Sequence, residues 1–526
     1  MTTDNENSDL EPTEQSSEYL STAWRGRLTG LAIGIPLFIL MLLLPPPDSL
    51  SVEAWRAAAV GLLMAVFWVT EALPLPATAL IPLPLFPILG VAPIKDTASP
   101  YANPVIFLFM GGFVVALAME RWRLHERIAL FVLKSVGERM DFLVGGFMLA
   151  TAALSMWVSN TATTLMMLPI ALSIVSLYKG REHDDSGSKR SGPLAFPSAL
   201  LLSVAYGATA GGMATLVGTP PNAFLAGFMR QTYGIEIGFA QWMAMALPLS
   251  IVMLFIIWWL MTRVIFDLRG RVIEGAHELI SERAARQGKM SNGEVRVAFL
   301  FALLATAWVL RPWLSKLAPA LNLDDTVIAM SAAVLAFLIP VDIKRGEFLM
   351  NWEWAQRLPF GVLILFGGGL TLAAAISKTG LAAWIGTQLA VVGGLPPVLI
   401  VVVMITILIF LTELTSNTAT TAAFLPIVAA LAISLGEHPL LLVVPAALAA
   451  SCAFMLPVAT PPNAIVFASG QLSIVQMARA GVLLNLVAIV VITMVAYSAL
   501  LLVFGVEPGV LPDVIRAAAG SSNLTR

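Results

Sequence analysis

The chain has 526 residues, of which 58% are hydrophobic and 12% are charged. Soluble domains are about 45–50% apolar and about 25% charged, so this excess excludes a soluble enzyme, a disordered chain and a secreted disulfide scaffold. A net charge of −2 offers no basic surface to nucleic acid, and a single cysteine, Cys452, excludes an intrachain disulfide.

The N-terminal residues 1–24 carry six acidic side chains and neither lysine nor arginine. This is the wrong charge for a signal peptide, so we predict a disordered acidic tail. Apolar runs follow, and a membrane span needs about 20 apolar residues. The sequence therefore predicts an all-α polytopic membrane protein. The candidate membrane segments are 25–50 (apolar from 28 to 45), 55–72, 75–92, 104–119, 142–178, 196–231, 239–262, 296–314, 326–341, 360–377, 397–433, 440–469 and 478–504.

Two long segments, 142–178 and 397–433, carry a polar sequence at their midpoint. A hairpin that enters the membrane, turns at mid-depth and leaves on the same side has this pattern. Non-helical backbone is tolerated at that depth where it faces protein or a wet cavity. We predict two re-entrant hairpins here and eleven transmembrane helices elsewhere.

Basic side chains cluster in the loops 121–139, 179–190, 263–289 and 344–345. All four loops fall on one side of the membrane if both hairpins are re-entrant. The positive-inside rule therefore supports eleven crossings and two hairpins. We expect a multi-pass protein of the plasma (inner) membrane. Its N-terminus would be cytoplasmic and its C-terminus external.

Two motifs occur twice. Ser-Asn-Thr lies at 159–161 and, 257 residues later, at 416–418. Thr-Pro-Pro-Asn lies at 219–222 and, 241 residues later, at 460–463. Because proline lacks an N–H and clashes with the preceding turn, the second motif predicts a break in each of two helices. These broken helices are 196–231 and 440–469.

The repeated motifs divide the chain into two copies of one unit, 51–265 and 294–506, joined by a cytoplasmic linker, 266–293, and followed by a tail, 507–526. Each copy has five predicted crossings and a hairpin, so the two copies are antiparallel. Inverted repeats are typical of secondary transporters, whose site lies where the repeats meet.

The motifs are rich in groups that hold small ions. Carbonyl, hydroxyl and carboxamide oxygens suit a hard monovalent cation, whereas amide donors and half-helix N-termini suit an anion. Each helix break is expected to free carbonyl oxygens before it and amide N–H groups after it. Two copies predict two cation sites flanking one anion that has at least two acidic groups.

Glu413 precedes the second Ser-Asn-Thr motif and is costly inside a membrane. It could bind a proton or cation, or it could brace the hairpin through hydrogen bonds. Met156 stands in its place in the first copy, which favours the brace.

The paired motifs resemble those of the divalent anion:sodium symporter (DASS) family, over about residues 27–506, and 451–465 is similar to the signature of that family. The resemblance implies a homodimer that works by an elevator motion, in which a transport domain with two hairpins and two broken helices moves against a scaffold. It implies dicarboxylates, citrate or sulfate as substrates and sodium as the coupling ion, with no other cofactor.

The resemblance also implies site residues. The first sodium site would comprise Ser155, Ser159, Asn160 and Gly218, and the second Thr412, Ser416, Asn417 and Ala459. The substrate would meet Asn160, Thr161, Thr219, Pro220, Ser416, Asn417, Thr418, Thr460 and Pro461. Threonine at both 161 and 418 favours a C4 dicarboxylate such as succinate, malate or fumarate. Because Ser155 and Thr412 differ, the two sodium sites need not be equally strong.

Other functions remain open. A sodium-independent dicarboxylate exchanger could place a fixed cation where sodium would sit, but the motifs contain no Lys, Arg or His. A sulfate or citrate carrier would share the fold. A membrane enzyme would need a nucleophile–base pair or a metal cluster, which the motifs lack, and re-entrant hairpins fit alternating access better than a channel. The expected partners are the dicarboxylate, sodium, the lipid bilayer and a second copy of the chain.

Overall fold

The computed structural model describes residues 14–184, 195–389, 394–512 and 515. Most of these residues are helical. The first thirteen helices are α1 (Glu14–Leu43), α2 (Val52–Thr70), α3 (Leu75–Ala79), α4 (Pro82–Ile88), α5 (Ile94–Ala98), α6 (Pro104–Arg121), α7 (Leu124–Lys134), α8 (Met140–Ser155), α9 (Asn160–Asp184), α10 (Ala195–Gly212), α11 (Pro220–Tyr233), α12 (Phe239–Trp259) and α13 (Ala276–Arg286). A π-helical turn, Leu260–Ile265, extends α12.

A short antiparallel hairpin, β1 (Pro340–Asp342) and β2 (Glu347–Phe348), lies in the second half. The helices of this half are α14 (Asn292–Leu317), α15 (Asp325–Leu338), α16 (Trp352–Ala355), α17 (Phe360–Lys378), α18 (Leu381–Leu389), α19 (Pro397–Thr412), α20 (Asn417–Ser434), α21 (Pro439–Ser451), α22 (Pro461–Phe467), α23 (Ile474–Ala496) and α24 (Ala499–Phe504). Polar caps begin several of them: Ser291 and Glu294 form a capping box on α14.

Within the described residues, eight helical segments are long and apolar enough to cross a membrane, in keeping with a multi-pass membrane protein. They include the helices that follow both Ser-Asn-Thr motifs. The segments are 52–70, 94–121, 160–180, 239–265, 292–317, 360–378, 417–434 and 474–504.

Three sequence predictions need correction. Residues 14–24 are helical rather than disordered, because α1 begins at Glu14 and acidic residues are favourable near a helix N-terminus; residues 1–13 lie outside the described part. Segment 75–92 is two short helices rather than one continuous helix, since Pro82 begins a new helix. The predicted linker is not only a loop, because it contains α13, which packs on α7.

The helix that follows each Pro-Pro break packs on the other copy of the repeat. In each copy both arms of the hairpin segment pack on the helix before the Pro-Pro break: α8 and α9 on α10, and α19 and α20 on α21. The helix after each break packs on the other copy instead, α11 on α20 and α21, and α22 on α9 and α10. The four motifs therefore face one another across the boundary between the copies.

Two short segments interrupt these helices, the first break loop (residues 213–219) and the second break loop (residues 452–460). They meet in the protein interior, where the Cys452 sulfur lies 3.6 Å from the Met213 sulfur. The buried Tyr206 hydroxyl on α10 donates to the Phe454 carbonyl of the second loop at 2.9 Å. The core of the candidate site is thus the junction of both breaks.

Candidate functional site

Each Ser-Asn-Thr motif lies where one helix ends and the next begins. The first tip, residues 156–159, separates α8 from α9, and the second tip, residues 413–416, separates α19 from α20. Serine is the N-cap of α20, and the Ser159 hydroxyl accepts the Ala162 N–H at 3.3 Å. Asparagine is the first helical residue in both copies, so its side chain stands at the positive end of a helix dipole.

A buried hydroxyl holds each of these asparagines. Ser155 Oγ donates to Asn160 Oδ1 at 2.5 Å. Thr412 Oγ1 lies 2.7 Å from Asn417 Oδ1 and 2.9 Å from the Ala450 carbonyl oxygen. A hydroxyl has one proton, so Thr412 donates to one of these oxygens at a time, and its own lone pairs stay free for a cation. The structure thus brings together Ser155 with Asn160, and Thr412 with Asn417, as the sequence predicts.

The oxygen cluster around Asn160 also includes groups on both sides of the first break loop, Gly212 at the end of α10 and Gly218 within the loop. A methyl group built on Gly212 would lie 2.7 Å from Asn160 Oδ1 and 3.1 Å from the Gly218 carbonyl oxygen. These oxygens therefore converge on a space that only glycine leaves open. Hydroxyl, carboxamide and unwound-helix carbonyl oxygens are the groups that bind sodium in transporters, so the residues present fit that ion. Ser159 is less directly placed, since its hydroxyl caps α9.

The broken helices contribute less hydrogen bonding than the sequence suggests. Thr219 and Thr460 are the N-caps of α11 and α22, and the next two residues of each helix are prolines without an N–H. The third N–H is already used: Asn222 N donates to the Thr219 carbonyl at 3.2 Å, and Asn463 N donates to Thr460 Oγ1 at 3.3 Å. The expectation of exposed amides after each break is therefore wrong, and these helix ends offer an anion only their dipoles.

The threonines of the two Ser-Asn-Thr motifs, Thr161 and Thr418, differ in role from the threonines one turn later. Thr164 Oγ1 donates to the Asn160 carbonyl at 2.8 Å, and Thr421 Oγ1 to the Asn417 carbonyl at 2.7 Å. The hydroxyls of Thr161 and Thr418, by contrast, bond to no residue in the part of the chain that the structure describes. Two hydroxyls, one in each copy, are thus available to a ligand.

The sequence analysis missed the role of the asparagine in each Pro-Pro-Asn motif. Asn222 Nδ2 donates to the Thr215 carbonyl at 2.8 Å and reaches the Gly212 carbonyl at 3.4 Å. The corresponding Asn463 Nδ2 reaches the Leu456 carbonyl at 3.0 Å and the Ala453 carbonyl at 3.2 Å. Both asparagines are fully buried, and each folds its break loop back on itself. Their recurrence at the same place in both copies is the signal that could have revealed this role.

A second brace differs between the copies. Thr215 Oγ1 donates to the Met156 carbonyl of the first tip at 2.6 Å and accepts the Gly218 N–H at 3.0 Å. In the second copy a leucine replaces this threonine, and the Glu413 carboxylate accepts N–H groups of the second break loop instead. Glu413 therefore braces the loop, one of the two roles that the sequence leaves open.

Known proteins resemble this chain over nearly its whole length. Residues 25–504 match the family described as the sodium:sulfate symporter transmembrane region. A protein of Staphylococcus saprophyticus named sodium-dependent dicarboxylate transporter SdcS is 44% identical over 484 residues, which cover 92% of this chain and 93% of that protein. The SdcS protein of Staphylococcus aureus strain USA300 is 42% identical with the same coverage.

Two solved transporters share the fold. The Alcanivorax borkumensis YdaH transporter aligns with a TM-score of 0.54 at 14% identity, covering 86% of this chain and 99% of that one. Neisseria gonorrhoeae MtrF, described as illuminating a class of antimetabolite efflux pumps, aligns with a TM-score of 0.53 at 13% identity, covering 85% and 95%. At these identities the likeness concerns the fold alone.

Proposed function

Because the chain belongs to the sodium:sulfate symporter family, we propose that it is a sodium-coupled transporter that imports C4 dicarboxylates such as succinate, malate and fumarate. The membership confirms the resemblance inferred from the motifs. The observation that carries the proposal is the pair of oxygen clusters, one around Asn160 and one around Asn417. Beside them are two threonine hydroxyls that make no hydrogen bond to the described residues. The SdcS relatives, named for sodium-dependent dicarboxylate transport, support it.

One dicarboxylate would lie between the copies. Thr161 would serve one carboxylate and Thr418 the other, with the positive ends of α9 and α20 behind them. Asn160 and Asn417 would bind sodium through Oδ1 and the substrate through Nδ2, since a carboxamide both accepts and donates. Sodium would then neutralise the anion, and each ligand would raise the affinity of the other by the same factor. Ser416 and the broken-helix residues Thr219, Pro220, Thr460 and Pro461 would complete the substrate site.

The transport step would be an elevator motion by one protomer of a homodimer. The mobile body would comprise both tip helix pairs and both broken helices, moving against a scaffold that includes α14 and α15. Polar contacts join this scaffold to the segment that connects α11 to α12. Arg311 on α14 lies 2.9 Å from Asp325 and 2.7 Å from Glu236, and Asp325 also accepts the Phe239 N–H at 2.8 Å.

In the membrane, the chain would make eleven crossings with two re-entrant hairpins, a cytoplasmic N-terminus and an external C-terminus. The one-sided distribution of basic loops supports this topology. Cysteines introduced at Ser8 and Ser522 in a Cys452→Ala background test it with a membrane-impermeant thiol reagent on intact cells. Only the cysteine at 522 should react; labelling of both or neither would contradict the topology.

Uptake of labelled succinate into proteoliposomes tests the function. An inward sodium gradient should drive accumulation, and replacing sodium by choline should abolish it. Uptake that persists in choline and requires dicarboxylate inside the vesicles would establish the exchanger instead. Stronger competition by sulfate or citrate than by malate or fumarate would assign the carrier to those anions.

A further inference from the structure

The two copies differ in charge at one buried position. Glu413 is the first residue of the second tip, and the corresponding residue of the first tip is Met156. We propose that Glu413 makes the second sodium site, around Thr412 and Asn417, the tighter of the two. This inference rests on the proposed sodium coupling. It adds an order of binding, since the tighter site fills first as the sodium concentration rises.

Glu413 has the surroundings of an ionised carboxylate. It is 2% exposed, and its two oxygens accept the N–H groups of Phe454 at 2.7 Å, Met455 at 2.9 Å and Leu456 at 3.1 Å. The side-chain amide of Asn485 on α23 donates to it at 2.8 Å. A protonated carboxyl would need an acceptor for its own proton, and every one of these partners is a donor.

This charge has no cationic partner among the described residues. A lone charge inside a membrane protein is costly unless an opposite charge compensates it. Thr412 directly precedes Glu413 in the chain, and Ala459, also assigned to the second sodium site, belongs to the break loop whose amides Glu413 holds. A sodium ion bound there would supply that compensation. In the first copy the uncharged Met156 stands in the place of Glu413, and the brace is the Thr215 hydroxyl.

Glu413 also fixes the backbone of the second break loop before any ion binds. Three successive amides converge on one carboxylate, and Asn463 ties the loop carbonyls from the other direction. A loop that is already ordered loses less conformational freedom when a ligand binds. The first break loop is also braced, by Thr215 and Asn222, but through hydrogen bonds between neutral groups, which are weaker than bonds to a charged group. Charge and preorganisation therefore act in the same sense, and both favour the second site.

Sodium titration by calorimetry, without substrate and at constant ionic strength with choline, tests the inference. The wild-type protein should show two binding steps of unequal affinity. Glu413→Gln keeps the shape and one acceptor oxygen but removes the charge, and it should weaken the tighter step about 10- to 100-fold, the range expected for a unit charge several ångströms away at an effective dielectric constant near 20. Asn485→Ala, the control, removes one hydrogen bond but keeps the charge, and it should change that step less than about threefold.

A double-mutant cycle assigns the effect to one site. In a Ser155→Ala background, which impairs the first site, Glu413→Gln should retain its full effect on sodium affinity. In a Thr412→Val background, which impairs the second, it should add little. Equal effects in both backgrounds, or an equal loss in Asn485→Ala, would show that Glu413 is only a brace and would overturn the inference.

Two further results distinguish failure of this inference from failure of the proposed function. If Glu413→Gln does not fold, the single variants decide: Thr412→Val should remove the tighter step and Ser155→Ala the weaker one, and the reverse assignment overturns the inference. If the wild-type protein binds no sodium at all, the proposed function itself fails.

Discussion

The two hairpin tips have the same local structure but different surroundings. Trp157 of the first tip packs against Phe239 and Trp308, whose rings stack on each other at 4.3 Å; its centroid lies 6.0 and 6.5 Å from theirs. Trp157 also meets Phe301 edge-on at 5.0 Å. Leu414, the corresponding residue of the second tip, is 69% exposed. The sequence repeats, yet one tip is packed against the opposite copy and the other is not.

The helices against which the tips could pack, α2 and α14, are alike. The difference between the tips therefore comes from how the two copies of the repeat are placed. Trp308 on α14 and its counterpart Trp68 on α2 are both 1% exposed. Each indole N–H donates to a carbonyl further along the chain, of Asp325 at 3.0 Å and Leu75 at 3.3 Å. The structure is therefore one-sided, with the first tip closed against α14. The proposed alternating motion would reverse this, burying Leu414 and freeing Trp157.

We expect the largest loss of function from substitutions of Asn160 and Asn417, the asparagines that begin α9 and α20. Asn160→Asp should keep or strengthen sodium binding but abolish succinate transport, because a second negative charge repels the substrate carboxylate. Asn417→Asp should do the same if the two tips share one role. Calorimetry with sodium and proteoliposome uptake measure the two effects separately, and transport at the wild-type rate in either variant would remove that asparagine from the substrate site.

Gly212→Ala should damage the first site alone. The added methyl would lie 2.7 Å from Asn160 Oδ1, and overpacking costs about 1–3 kcal/mol, or about 5- to 150-fold in sodium affinity. The second copy already carries Ala453 at this place, so Ala453→Gly is the matched control and should be tolerated. Sodium titration of both purified variants checks this, and equal affinity in Gly212→Ala and the wild type would show that the cation lies elsewhere.

Removing one hydroxyl at a time should weaken substrate binding more than sodium binding. Thr161→Val and Thr418→Val each delete a hydrogen bond to a carboxylate, worth about 1.5–3 kcal/mol, or about 10- to 100-fold in succinate affinity. Thr164→Val and Thr421→Val, one turn later, delete only bonds to helix carbonyls and serve as controls. Titration with succinate at saturating sodium measures the affinity of each variant. Unchanged affinity in both Thr161→Val and Thr418→Val would refute the assignment.

The smallest expected effect concerns the packing of the first tip. Trp157→Leu gives the first tip the residue of the second. It removes three aromatic pairs but keeps an apolar side chain in place, so we expect a net loss near the worth of one pair, about 0.5–1.5 kcal/mol, or a shift of about 2- to 12-fold toward the open arrangement. Val217 lies beside Trp157 and Trp308, so a cysteine at 217 in a Cys452→Ala background should react faster with a thiol reagent by that factor. Phe255→Leu, on an exposed stretch of α12, is the control. An unchanged rate would show that Trp157 does not hold the tip closed.

Most of the architecture follows from the repeated motifs, because local chemistry decides it. Two adjacent prolines must end a helix, and the structure has a break before each pair. Segment 75–92 was predicted as one unbroken helix from its apolar length alone, although prolines 82, 84 and 87 stand in it. Weighing those prolines would have corrected the prediction.

The candidate site could be predicted only in part. Ser155 with Asn160, and Thr412 with Asn417, are five residues apart in sequence and meet across one turn. Gly212, Thr215 and Asn485 reach the site from α10, the first break loop and α23, and the packing of these elements is decided by apolar contacts spread over the whole chain. Neutral side chains at such distances carry no signal in a single sequence, so their roles required the structure.

The packing of α11 on the second copy of the repeat has a consequence for synthesis. A ribosome delivers the first copy well before α20 and α21 exist, yet these are the helices on which α11 packs. The first break loop must therefore wait in the bilayer, its buried polar groups incompletely covered, until the second copy is inserted. A chain that stops after the linker would lack the partner of α11 altogether, and we expect the cell to degrade it rather than use it as half a transporter.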